Sequence, residues 1–299
     1  MMQTDAKPFV KWAGGKGQLL DEIDLRLGRM MEKHPSCLYV EPFVGGGAVL
    51  FHVLKHYQSV QKAIINDINP RLITTYRVIQ QSPCDLLQKL AELQQRYYPL
   101  SHDDRTSMYM AERKRFNDGN LDDVDVAALF IFLNRTCFNG LYRENSKGGF
   151  NVPHGRYANP NLCDEKTILA DSEALQKVEI MCGDFSGTGI FAGADTVYYF
   201  DPPYKPLSET SSFNTYVKQP FDDADQVRLR DFCNFVSRKG SGFVLSNSDV
   251  KGKNPADNFF DDLYSDYIIS RVFATRMVNA NPDKRGKLTE LLITNAVRR

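Results

Sequence analysis

Residues 196–204 read TVYYFDPPY. Val197 to Phe200 is a short apolar run rich in β-branched and aromatic residues, the pattern of a strand buried on both faces of a parallel sheet. Pro202 and Pro203 lack the N–H that a ladder needs, so pairing stops at Asp201. Ligands of open α/β sheets gather at the carboxyl ends of strands. Asp201, two backbone carbonyls with no N–H between them and the Tyr204 ring are therefore expected at one cleft mouth. A carboxylate and a proline carbonyl only accept hydrogen bonds, so together they suit the two hydrogens of an exocyclic amine. The ring suits stacking on the attached base. The plain alternative is a Pro-Pro turn that ends a strand, with a capping Asp.

Around this stretch lies an ordinary globular composition: 299 residues, 42% apolar and 25% charged, with a net charge of +0. Bulk charge alone predicts no polyanionic partner. Local charge differs: residues 134–157 carry Arg135, Arg143, Lys147 and Arg156 against Glu144 alone, and 271–299 carry seven Lys/Arg against Asp283 and Glu290. Either run also fits a solvated face. The six cysteines have no CxxC spacing, and they read as reduced thiols of a cytosolic protein. The five histidines show no metal-ligand spacing, and the N-terminus has no apolar leader.

Upstream, KPFVKWAGGK (7–16) places Gly14-Gly15 before Lys16, which opens a helical stretch. A phosphate loop is excluded, because Val10 and Gly17 stand where it needs Gly and Ser/Thr. The plain reading is a structural turn with a solvated lysine. LYVEPFVGGGAVL (38–50) is strand, acid, glycine turn and helix. Glycines 45–47 admit positive φ and close approach to a ligand. Leu50 replaces the third glycine of the dinucleotide fingerprint, which disfavours NAD and FAD. The next strand, 62–65, ends in Asn66-Asp67, where an acid holds a nucleoside ribose or caps the helix at 70–81.

From 70 to 135 the βα alternation gives way to helical periodicity at 85–97, 107–116 and 124–135. Phe138–Tyr157, FNGLYRENSKGGFNVPHGRY, follows as a basic, aromatic hairpin turning at Gly148-Gly149, suited to reading a groove. The pattern returns with strands at 178–182, 196–200, 242–245, 267–273 and 288–295, and a helix at 222–236. The expected fold is α/β, a Rossmann-like sheet formed by 1–69 and 164–299, with 70–163 as an inserted helical and hairpin subdomain.

In order, KWAGGK (11–16), EPFVGGGAV (41–49), INDIN (65–69), NGLYR…FNVPHGRY (139–157), GDF (183–185), DPPYKPLSET (201–210), LSNSD (245–249) and RGKLTELL (285–292) resemble the Dam-type DNA adenine-N6 methyltransferases, alpha group. The resemblance spans nearly the whole chain. It implies S-adenosyl-L-methionine as methyl donor, S-adenosyl-L-homocysteine as product and no metal. By resemblance Trp12, Lys16, Glu41, Phe43, Gly45, Gly47, Asp67, Asp184, Phe185 and Asp201 line the cofactor pocket, Asp67 holding the ribose and Asp184 the adenine amine. Asp201, Pro202, Pro203 and Tyr204 would act on a flipped target adenine. Lys11, Phe138, Asn139, Leu141, Arg143, Asn145, Lys147, Pro153, Arg156, Tyr157 and Ser208 would meet double-stranded DNA at GATC. The resemblance further implies a cytoplasmic protein without a membrane partner, and a cognate restriction endonuclease that acts on the same site without necessary contact. Relatives acting on cytosine N4, RNA adenine or a glutamine amide more often carry Ser or Asn at 201 and lack the hairpin. A silent DNA-binding module is disfavoured by the intact 201–204 motif.

Overall fold

The computed structural model describes residues 5–205, 221–275 and 287–295, with the backbone alone at 274, 275, 287 and 288. Seven strands are present among them: β1 (Cys37–Glu41), β2 (Val60–Asp67), β3 (Val178–Cys182), β4 (Thr196–Phe200), β5 (Gly242–Ser248), β6 (Ile268–Thr275) and β7 (Lys287–Thr294). They form one sheet in the order β3-β2-β1-β4-β5-β7-β6. The first five strands run parallel, and β7 runs antiparallel to both β5 and β6. The chain winds outward from β1 in one direction and from β4 in the other, so the crevice of this doubly wound α/β sheet opens between them.

All five residues of β4 are buried. Val197 and Tyr199 pack into one core with Tyr39 and Val244, while Tyr198 and Phe200 pack into the other with Val40, Ile64 and Leu245. This is the alternation of a strand covered on both faces. Each buried tyrosine of β4 has a partner for its hydroxyl, as burial demands. Tyr198 Oη donates to the Thr188 carbonyl at 2.8 Å, and Tyr199 Oη lies 3.0 Å from Ser246 Oγ.

Among the described residues the α-helices are α1 (Leu20–Met31), α2 (Ala48–His56), α3 (Pro70–Gln81), α4 (Pro83–Tyr97), α5 (His102–Asp118), α6 (Asp123–Thr136), α7 (Glu165–Leu175), α8 (Asp223–Arg238) and α9 (Phe259–Leu263). The helix expected to open at Lys16 begins at Leu20, because Gly14 to Gln18 form turns. The helix expected at 107–116 starts at His102, where Ser101 Oγ accepts from the Asp104 N–H. α6 is apolar on nearly all sides and lies between α3, α4 and α5. One continuous core joins α1 to α6 with the sheet.

The stretch 138–157 follows a hairpin path without becoming a β-ribbon. Two isolated antiparallel bridges, Cys137 with His154 and Glu144 with Phe150, are its β-pairing. The residues lack strand alternation, and side chains replace the ladder. Asn145 Oδ1 accepts from the Lys147 and Gly149 N–H groups, both at 3.0 Å, and shapes the turn. From α5, Tyr109 Oη donates to the Val152 carbonyl at 2.7 Å, and the Asn117 side chain pairs with the Phe150 backbone. His154 is held between the Tyr97 and Thr106 hydroxyls at 2.7 and 2.9 Å.

Asp171 of α7 is fully buried. Its Oδ1 accepts from the Lys7 N–H at 3.0 Å, and Oδ2 has no partner among the described residues. Burial pushes its pKa up to about 8. The folded state thus favours the protonated acid, and this residue's contribution to stability is greatest below the unfolded value and falls as pH rises. Urea denaturation should show stability declining between about pH 4 and 8, by at most about 1.4 kcal/mol per unit from this group. Asp171→Asn should flatten that slope; an unchanged slope would place the titration elsewhere.

Candidate active site

The prolines after β4 release the chain at Asp201, between the carboxyl ends of β1 and β5. Asp201 Oδ1 takes two donors: Lys16 Nζ at 2.7 Å and Ser246 Oγ at 3.0 Å. No described residue donates to Oδ2, and the side chain is 22% exposed. Burial raises the Asp201 pKa, and the Lys16 ammonium and Ser246 hydroxyl counter part of that rise. The loop is backed by Gln226, which donates to the Pro203 carbonyl at 3.3 Å and accepts from Asn247 at 3.1 Å. Tyr204 Oη donates to Glu290 Oε2 of β7 at 2.7 Å, which fixes the ring over the pocket floor.

Lys16 is a correction to the solvated-lysine reading. Its side chain is 5% exposed. The ammonium donates to the Gly14 carbonyl at 2.7 Å and lies 4.5 Å from the Tyr204 ring centroid. The glycine turn is what folds the lysine back into the sheet end.

Glu41 closes β1 beneath the same crevice. It is buried and accepts from Tyr39 Oη at 2.7 Å. Burial drives its pKa well above the usual carboxylate range, with the Tyr39 hydrogen bond opposing and the Asp201 charge adding to the rise.

Beside it the glycine turn is tightly enclosed. Gly45 has φ +48°, donates to Asp67 Oδ2 at 3.1 Å and accepts from Tyr76 Oη at 3.0 Å. Trp12 covers the turn: a Cβ on Gly45 would stand 2.7 Å from Trp12 Cδ1. Trp12 in turn stacks on Tyr142 of the hairpin stretch, with ring centroids 5.4 Å apart. The helix-cap alternative for Asp67 is settled by its neighbour. Asn69 caps α3, accepting from the Arg71 and Leu72 N–H groups, whereas Asp67 binds Gly45 and Asn69 N–H groups. Burial raises the Asp67 pKa against those hydrogen bonds.

At the far side Phe185 is buried against Phe43, with ring centroids 5.3 Å apart. Asp184 is surface-exposed and clamped: Arg228 Nη1 lies 2.9 Å from both oxygens, and Ser186 Oγ donates at 2.6 Å. Burial opposes ionisation there, but the Ser186 and Arg228 hydrogen bonds outweigh it and hold the carboxyl below its ordinary value. Ile68, 66% exposed, stands next to Asp67.

The structure thus gathers Trp12, Lys16, Glu41, Phe43, Gly45, Gly47, Asp67, Asp184, Phe185 and Asp201 along the carboxyl ends of β1 to β4. The other group is on the surface of the hairpin stretch. Phe138 is 53% exposed, and Leu141, Pro153, Arg156, Tyr157, Lys147 and Lys11 are exposed too. Asn139 has φ +57°, and its N–H donates to Tyr157 Oη at 2.9 Å. Arg143 Nε donates to Asn151 Oδ1 at 2.8 Å, leaving Nη1 and Nη2 without a partner among the described residues. Asn145 is committed to its turn. Ser208 lies outside the described residues.

Residues 12–278 match the profile of the D12 class N6 adenine-specific DNA methyltransferases. The chain belongs to that family. It is 44% identical over 97% of its length to the type II methyltransferase M.MjaIII of Methanocaldococcus jannaschii, covering 99% of that protein. It is 40% identical to M1.LlaDCHI of Lactococcus lactis subsp. cremoris, over 98% of this chain and 96% of that one. The DNA adenine methylase of Escherichia coli K12 is 32% identical, over 96% of this chain and 94% of that one. The protein is an adenine-specific DNA methyltransferase, and its sheet is the Rossmann-like methyltransferase fold. Among the described residues no three His, Cys, Asp or Glu side chains group as a metal site, and no helix is long and apolar enough to cross a membrane.

Tyr39, Ser246, Glu290, Arg228 and Ile68 of this methyltransferase escaped the sequence reading. Ser246 and Glu290 lie within the quoted stretches LSNSD and TELL, so a polar residue in an apolar strand was the available signal. Arg228 and Ile68 carry no such signal. Gly45→Ala would put a Cβ against Trp12 and an alanine at positive φ, a cost of about 1–3 kcal/mol. Urea denaturation followed through Trp12, the single tryptophan, should show that loss with altered native emission; unchanged stability and emission would mean the turn relaxes freely.

Proposed function

We propose that this methyltransferase transfers a methyl group from S-adenosylmethionine to adenine N6 within double-stranded GATC, on a base turned out of the helix. The observation that carries the chemistry is the end of β4. A carboxylate, a proline carbonyl and a tyrosine ring share the crevice mouth beside the glycine turn. Pure acceptors set next to a ring suit an aromatic amine.

The donor set fits the cofactor. Its cationic methionine end and its ribose meet a wall of acids, Glu41, Asp67, Asp184 and Asp201, and exposed Ile68 offers apolar surface to the adenine. The positive-φ turn at Gly45 brings backbone close where a Cβ would not fit. Asp67 would hold the ribose and Asp184, oriented by Arg228, the adenine. S-adenosylmethionine, when bound, supplies an electrophilic sulfonium methyl.

The chain's own residues do the rest. An adenine amine is out of reach inside a duplex, so the base must leave the stack at a cost of a few kcal/mol. Asp201 and the Pro202 carbonyl accept the two amine hydrogens, which draws the nitrogen toward sp³ and localises its lone pair. Tyr204, fixed by Glu290, stacks on the base and holds it in line, and alignment near 3 Å supplies much of the rate. Asp201→Ala should lower turnover at saturating duplex and cofactor by at least about 100-fold. Single-turnover methyl transfer with parallel binding titrations tests it, and turnover near the parent's would sink the assignment.

For the DNA, residues 70–163 serve as the target-recognition part. Phe138, projecting from the hairpin stretch, fills the gap of the turned-out base, and Asn139 meets the orphaned thymine. Arg143, steadied by Asn151 through Nε, keeps a planar fork for guanine O6 and N7. Leu141 and Pro153 face a thymine methyl, and Lys11 reaches the first guanine. A restriction endonuclease cutting the same site is the functional partner of such an enzyme. Arg143→Ala should cost about 1–3 kcal/mol of discrimination at one base pair, whereas Lys147→Ala and Arg156→Ala should weaken all sequences alike and reduce the salt slope. Competition binding across single-base variants separates these, and a methylation map centred on another sequence would refute GATC.

A further inference from the structure

We propose that the Lys16 ammonium holds the target amine's place in the free enzyme and must move aside when adenine arrives. This rests on the reading of Asp201 and Tyr204 as the amine site.

The geometry is that of an occupied site. Lys16 Nζ is a nitrogen with three donor hydrogens, at 2.7 Å from Asp201 Oδ1 and from the Gly14 carbonyl. It stands over the Tyr204 ring at 4.5 Å from the centroid. Carboxylate and ring face are the two features the adenine is to use, and one cation covers both. Oδ1 is already filled by Lys16 and Ser246, and the ammonium also covers the Tyr204 face, so a base stacked on that ring must displace it. Ser246 is fixed by Tyr199 on the buried side of the sheet. Lys16 is the donor free to leave.

The placement has a physical purpose. Asp201 without the ammonium would be a desolvated carboxylate near Glu41 and Glu290. The ammonium is the partner of the carboxylate until the ligand comes. The ring contact adds a cation–π attraction of its own. Retreat is provided for by the turn: Gly14, Gly15 and Gly17 are exposed, and Gly17 has open space around it. The Gly14 carbonyl, two residues away, travels with the lysine.

The test compares two duplexes with S-adenosylhomocysteine present, one carrying adenine at the target and one an abasic site there. A placeholder reduces apparent affinity by the fraction of enzyme in which the site is clear. Lys16→Met should therefore tighten the adenine duplex by at least about threefold relative to the abasic duplex, a ratio in which general charge effects cancel. Lys16→Gln, which still donates, should fall between. An unchanged ratio, or one that moves against adenine, overturns the proposal. Should neither variant fold, a structure of the parent with S-adenosylhomocysteine and target duplex decides it. Nζ displaced from Asp201 by the amine supports the placeholder, and Nζ still on Oδ1 beside a seated adenine refutes it. Failure of the amine-site reading itself is separately visible, as parent-like turnover by Asp201→Ala.

Discussion

A strand covered on both faces has to deliver a charge. β4 is buried throughout, yet it ends in Asp201, and the two prolines stop pairing at that residue. Much of the site supplies partners to this carboxylate in a place that disfavours ions. Lys16 folds back over a glycine turn to reach it, Ser246 donates from the next strand, and Tyr199 steadies Ser246. Glu41, one strand away, accepts from Tyr39, and burial drives its pKa up. Two neighbouring acids thus sit among different partners.

The hairpin stretch and the glycine turn share one aromatic stack. Trp12 lies on the Gly45 turn and also on Tyr142, which packs on Phe130 of α6 and Phe150 of the hairpin stretch. A change in that turn is therefore felt in the hairpin stretch through close-packed rings. The loop itself owes its shape to α5 rather than to strand pairing. Tyr109, Arg113 and Asn117 hold residues 150–152, and His154 is seated between two hydroxyls. An irregular loop so braced can project Phe138 and Leu141 into solvent without collapsing onto the core.

Sequence by itself determined the strand positions, the two-sided burial of β4 and the stop at Asp201, because these follow from period, side-chain branching and the missing proline N–H. It determined the glycine turn at 45–47 for the same local reason. Tertiary structure decided what local rules leave open. Lys16 reads as solvated beside two glycines, and only the return of that turn onto the sheet end buries it. Asp67 reads equally as a cap, until Asn69 takes the α3 N–H groups and frees it. The 138–157 stretch reads as a hairpin, but whether its sides pair or lean on another element depends on α5, which lies elsewhere in the sequence. Ser246, Glu290 and Arg228 reach the site from strands and a helix far along the chain. Contacts of that separation are set by sheet order, which no window of sequence contains.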